Sequence, residues 1–138
     1  MHRPAMDWKL ARKRSDKGSI QHSIFTALQK LILIRKNSPE WADHNSCKLA
    51  FSENQHILAF VRCPRTVSGV EDQTAQTLVL VNFHPSVQFI KKDILFRYGL
   101  NINKGVIDKY TGKAPKYHID LLELQPYQFC FITNKANL

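Results

Sequence analysis

Six His, three Cys and eleven Asp or Glu are the residues of this 138-residue chain best suited to acid–base, nucleophilic or metal chemistry. Their spacing decides what they can do. His2, His22, His44, His56, His84 and His118 are far apart, with no His-x-x-x-His pair and no Cys-x-x-Cys pair beside them. Metal ions such as zinc need three or four ligands brought together, commonly from short paired motifs, so no metal site is expected. Cys47, Cys63 and Cys130 carry no nucleophile signature and read as small buried hydrophobes. Glu71 and Asp72 are the only adjacent acids, and neighbours on a loop do not make an acid–base dyad. There is no Gly-x-Ser-x-Gly elbow, and five glycines build no phosphate-cradling loop. No catalytic residue and no cofactor is expected within the chain.

Aromatic residues are the other candidates, since a flat ring can stack on a sugar or a base. Trp8 and Trp41 stand outside the regular elements, where each is either a sugar platform or packing at a junction. Tyr127, Phe129 and Phe131 alternate with Gln128, Cys130 and Ile132, which would put the three rings on one face of a strand. Such a row reads as core in preference to a stacking surface.

The elements that would position these residues change character once along the chain. Residues 1–17 are polar, basic and poorly patterned. From Ser19 to Lys36 the apolar residues recur every three or four positions, the spacing of an α-helix with a broad buried face. Ser15 or Ser19 would cap it, and Asn37-Ser38-Pro39 stops it. Beyond Pro39 short alternating runs take over. Strands are expected over 48–52, 57–62, 77–83, 87–90, 106–110 and 119–124, with 94–102 ambiguous and 64–74 a polar, mobile loop. Leu78-Val79-Leu80-Val81 is continuously apolar, as a strand buried on both faces would be. The closing strand runs over 124–132, gated by Pro126. Seven or eight short strands with frequent turns predict a mainly β fold, an antiparallel β-sandwich of Greek-key type preceded by one long α-helix.

Composition limits the classes. No apolar run approaches the ~20 residues of a membrane span, and no signal-peptide core opens the chain. An odd number of cysteines without metal spacing suggests reduced thiols and a cytoplasmic setting. The net charge of +9 is concentrated early, in Arg3, Lys9, Arg12, Lys13, Arg14 and Lys17. A basic segment of this kind is usually a solvated face, so nucleic acid is not the expected partner. An independent basic nucleic-acid-binding module is nonetheless one alternative, and a free-standing carbohydrate-binding domain is another.

Several motifs, in order, carry a resemblance. They are His2-Arg3-Pro4; the helical Leu28-x-x-Leu31-Ile32-x-x-Arg35-x-x-x-Pro39; Asn54-Gln55-His56-Ile57; Leu78-Val79-Leu80-Val81-Asn82-Phe83; Asp108-Lys109-Tyr110-Thr111-Gly112-Lys113; and Leu124-Gln125-Pro126-Tyr127-Gln128. Together they resemble the carboxy-terminal end of amylosucrase-type members of the α-amylase superfamily. The resemblance implies that residues 1–39 are the loop and last helix of a (β/α)₈ barrel, and 40–138 its β-sandwich domain C. It further implies a parent that is a retaining glycosidase or glycosyltransferase. Such an enzyme's two carboxylates lie about 5 Å apart at the ends of barrel strands, here before Met1. The chain alone would then be a non-catalytic, stabilising domain of a sucrose- or α-glucan-active enzyme, with the barrel as partner. By the same resemblance Arg3 would help wall the sugar pocket, while Trp8 and Trp41 are candidates for surface glucan contact because an exposed indole can act as a sugar platform. A helix without its barrel predicts self-association or partial disorder of residues 1–36.

Overall fold

The computed structural model describes residues 5–42 and 46–135. Short helix α1 (Trp8–Arg12) is capped by Asp7, whose carboxylate accepts from Leu10 N at 3.0 Å. Helix α2 (Ile20–Asn37) is capped by Ser19, whose Oγ accepts from His22 N at 3.0 Å. A single 3₁₀ turn, Pro39–Trp41, carries the chain from α2 to the sheets.

Eight strands follow among the described residues: β1 (Cys47–Ala50), β2 (Ile57–Arg62), β3 (Thr77–Asn82), β4 (Gln88–Lys91), β5 (Val106–Asp108), β6 (Tyr117–His118), β7 (Leu121–Leu124) and β8 (Phe129–Asn134). They form two antiparallel sheets, ordered β1-β2-β3-β8-β5 and β4-β7-β6. The fold is mainly β. Helix α3 (Asp93–Arg97) occupies the stretch that alternation left ambiguous. The loop expected over 64–74 is a hydrogen-bonded excursion, closed by an Arg65–Glu71 bridge and a Thr66 N to Val70 O bond of 2.8 Å.

One core joins the two sheets. Ile57, Ala59 and Val61 of β2, Leu78 and Leu80 of β3, and Cys130 and Ile132 of β8 face Ile90, Leu122 and Leu124 of the smaller sheet. Ile94, Leu95 and Leu100 from the α3 region close one side. Leu78 through Leu80 are all buried, because β3 lies in the middle of its sheet and both its faces are covered.

The closing strand differs from its sequence reading. Residues 121–124 belong to β7 in the smaller sheet, and β8 begins only at Phe129. Between them Gln125–Gln128 is a tight turn, closed by Gln128 N to Gln125 O at 3.0 Å. Pro126 takes the first central position and Tyr127 the second, at φ +56°, which is the type II pattern. Tyr127 therefore leaves the aromatic row and stands 65% exposed. Within β8 it is Cys130 and Ile132 that enter the shared core. Phe129 and Phe131 face the other way, half-buried, so the aromatic face is not the core face. Cys47 also departs from expectation: it lies on edge strand β1 and is exposed, while Cys63 and Cys130 are buried.

These assignments make opposite predictions for two neighbouring residues. Ile132→Ala is expected to lower the unfolding free energy by about 2–5 kcal/mol, the range for emptying a fully buried position. Tyr127→Gly is expected to leave it unchanged or raise it by up to about 1 kcal/mol, because glycine relieves the left-handed backbone and little packing is lost. Equilibrium urea unfolding of the two variants checks both, and a Tyr127→Gly loss as large as that of Ile132→Ala would contradict the turn.

Candidate functional site

Helix α2 meets the outer face of the five-stranded sheet, and the densest set of charged and aromatic contacts gathers there. The 3₁₀ turn after α2 brings Glu40 into the sheet, where only 1% of it is exposed. Its Oε1 accepts from Thr77 Oγ1 at 2.7 Å and from Lys109 Nζ at 2.6 Å. Lys109 Nζ also donates to Ser38 Oγ at 3.2 Å. The Glu40 backbone carbonyl accepts from Arg62 Nε and from Ser46 Oγ, both at 3.2 Å. A carboxylate this far from water must be paired and hydrogen-bonded, and the Thr77 and Lys109 contacts serve that need.

Asp108 positions Lys109. It is buried, and its carboxylate accepts from Tyr110 N, Thr111 N, Thr111 Oγ1 and Phe131 N at 2.7–3.1 Å. Gly112 then turns the chain at φ +72°. The Asp-x-x-Thr-Gly-Lys segment is thus a side-chain-closed turn docked on β8, which aims Lys109 at Glu40.

Aromatic rings surround this pair. Trp41 packs edge-on against Phe131 with centroids 5.6 Å apart, and the Arg62 guanidinium lies 5.2 Å from the Trp41 ring. Tyr110 contacts Phe129 at 4.7 Å, and Lys30 of α2 sits 4.6 Å from the Tyr110 ring. Between helix and sheet a cavity of about 340 Å³ remains, lined by Leu31, Ile34, Arg35, Trp41, Arg62 and Phe131.

The candidates named from sequence are scattered relative to this junction. Trp41 is inside it and half-buried, with its Nε1–H lacking an acceptor. Trp8 lies on α1 with 67% of its surface exposed. Arg3 and His44 lie outside the described residues. His56 and His84 pack with ring centroids 4.3 Å apart and planes tilted by 46°, and His84 Nδ1 accepts from Ser86 N at 3.2 Å. His118 bonds Glu123, and Lys116 Nζ contacts the same carboxylate at 2.6 Å, which holds the Glu123 carboxyl below the usual carboxylate range. Among the described residues no three His, Cys, Asp or Glu come together to hold a metal ion, and no helix is long and apolar enough to cross a membrane. Glu40, Lys109, Arg62 and Thr77 escaped sequence reasoning. Glu40 and Lys109 stand 69 positions apart, so only the fold could pair them.

No protein-family model matches the chain, and no curated protein matches it.

The buried pair gives a sharp expectation. Lys109→Met strands the Glu40 carboxylate without its counter-charge and is expected to cost about 3–5 kcal/mol of unfolding free energy. Adding Glu40→Leu in the same chain should recover most of that loss, because a buried pair can be replaced by apolar groups far more cheaply than it can be broken. A double-mutant cycle read by chemical denaturation measures both. The thiols give a second expectation. Burial pushes the Cys130 thiol up to about 12 and raises that of Cys63 as well, which keeps both protonated and unreactive at neutral pH. A disulfide reagent at pH 7.5 should therefore titrate one thiol, Cys47, in the native protein and all three after unfolding.

Proposed function

We propose that this chain is the carboxy-terminal accessory domain of an amylosucrase-like enzyme of the α-amylase superfamily, with α2 the last helix of the parent's barrel. In this reading the two sheets are the Greek-key sandwich of domain C. The domain covers apolar barrel surface and holds the last helix in place, and the retaining chemistry belongs to the barrel.

One observation carries the reading. Ile20, Ile24, Leu28 and Ile32 recur every fourth residue along α2, and all four are exposed. Positions four apart lie on one helix face, so these side chains form a continuous apolar stripe. Leu31 and Ile34, by contrast, are half-buried against the sheet. A helix apolar on two sides has one covered face and one awaiting cover. A barrel whose last helix this is would supply that cover, and the ordered motifs that resemble the amylosucrase type point to the same partner. The Glu40–Lys109 anchor fits the role as well, because it locks the exit of that helix onto the β domain.

Purified alone, the chain should release neither glucose nor fructose from sucrose, and light scattering should show it associating through the stripe. Leu28→Lys with Ile32→Lys should shift it towards monomer without lowering its unfolding midpoint by more than a few degrees. Sucrose turnover by the wild-type chain, or a wild-type monomer at high concentration, would count against the proposal. An upstream reading frame encoding a barrel with paired carboxylates would be the direct positive result.

A further inference from the structure

We propose that the cavity between α2 and the sheet is a binding site for a small organic carboxylate with an apolar body. The cleft is lined by residues other than those of the outer stripe of α2, so the inference stands independently of what covers that stripe.

The lining chooses the ligand. Its volume of about 340 Å³ is at the small end of the range for small-molecule sites, roughly 300–1,000 Å³. Leu31, Ile34 and Phe131 make apolar walls suited to a hydrocarbon or aromatic body. The polar side chains of the lining are Arg35, Arg62 and Trp41. All three are donors with no acceptor capacity. A neutral sugar brings hydroxyls that both donate and accept, and this lining has no side-chain acceptor to meet their protons. A carboxylate only accepts, and its two oxygens match the fork of a guanidinium.

Two further features show a deficit of acceptors at this wall. The buried Trp41 Nε1–H has no acceptor. Arg35 forms no ion pair among the described residues, whereas the nearby carboxylate, Glu40, is already matched by Lys109. Arg62 is fixed by the Glu40 carbonyl and by its place against the Trp41 ring. One guanidinium is thus held rigidly as a wall, and the other, Arg35, stands exposed at the cavity with no ion pair among the described residues. Phosphate would satisfy the charge but leave the apolar walls unused.

The test uses the whole chain with Trp8→Phe, which leaves Trp41 as the only indole. Its Nε1–H resonance in a proton–nitrogen correlation spectrum reports directly on the site. Titration with benzoate is expected to shift that resonance saturably. Benzamide, the same ring without the charge, and inorganic phosphate, the charge without the ring, should each bind at least tenfold more weakly. Arg35→Ala should weaken benzoate at least tenfold, and Arg35→Lys should retain part of the affinity. A resonance indifferent to benzoate overturns the proposal, as does benzamide or phosphate binding equally well. Benzoate affinity unaffected by Arg35→Ala overturns it too. An unchanged unfolding midpoint for Arg35→Ala separates lost binding from lost structure.

Discussion

The buried ion pair between Glu40 and Lys109 is the constraint on which the arrangement of helix and sheets depends. Helix α2 ends three residues before Glu40, and Lys109 follows immediately after β5. Joining them ties the start of the β region to its far edge, with Thr77 of the central strand as third partner. Desolvating two charges is costly, and the pair is tolerable only because the surrounding geometry is complete. Its consequence is directional. A hydrophobic contact would tolerate sliding of the turn over the sheet, whereas a carboxylate held by Thr77 and Lys109 does not. The same turn orients Trp41, which meets Phe131 on one side and Arg62 on the other.

Around that anchor the five-stranded sheet is apolar on both faces. Its inner face shares a core with the smaller sheet and α3. Its outer face presents Val79, Phe129 and Phe131 towards Trp41, Tyr110 and α2. A sheet covered on one side alone would show clean alternation, and β3 does not. The cover is incomplete, however. Leu49 on edge strand β1 and Leu58 on β2 remain exposed, as does the outer stripe of α2.

Local signals in the sequence were legible and non-local ones were not. Ser19 and Pro39 bracket α2 because capping and proline exclusion act within a few residues. The four apolar residues of β3 announced a strand covered on both faces, and Thr111-Gly112 announced a turn. The closing region failed for a specific reason. Alternation assigns residues to two faces but does not say which face is the core, and a one-residue change of register exchanges them. Pro126-Tyr127 read as the mouth of a strand because Tyr127 is a good strand residue, yet its positive φ makes it the second corner of a turn. Cys47 read as buried because free thiols usually are, but edge strand β1 leaves it in water. The Glu40–Lys109 pair, and the cavity beside it, depend on segments brought together from across the chain.

The energetics of α2 sharpen the meaning of its outer stripe. An 18-residue helix is only marginal in water on its own, and four isoleucines make this one a weaker helix former than its length suggests. What holds it is a cap at Ser19, the inward contacts of Leu31 and Ile34, and the anchored exit at Glu40. No residue of the helix is fully buried. A sequence under no pressure to cover the outer face would place Lys, Glu or Gln at positions 20, 24, 28 and 32, since these favour a helix and suit water. Isoleucine at three of the four suits neither requirement. In the proposed reading the stripe is half of a packed interface, and a covering partner would offset its cost to the helix in isolation.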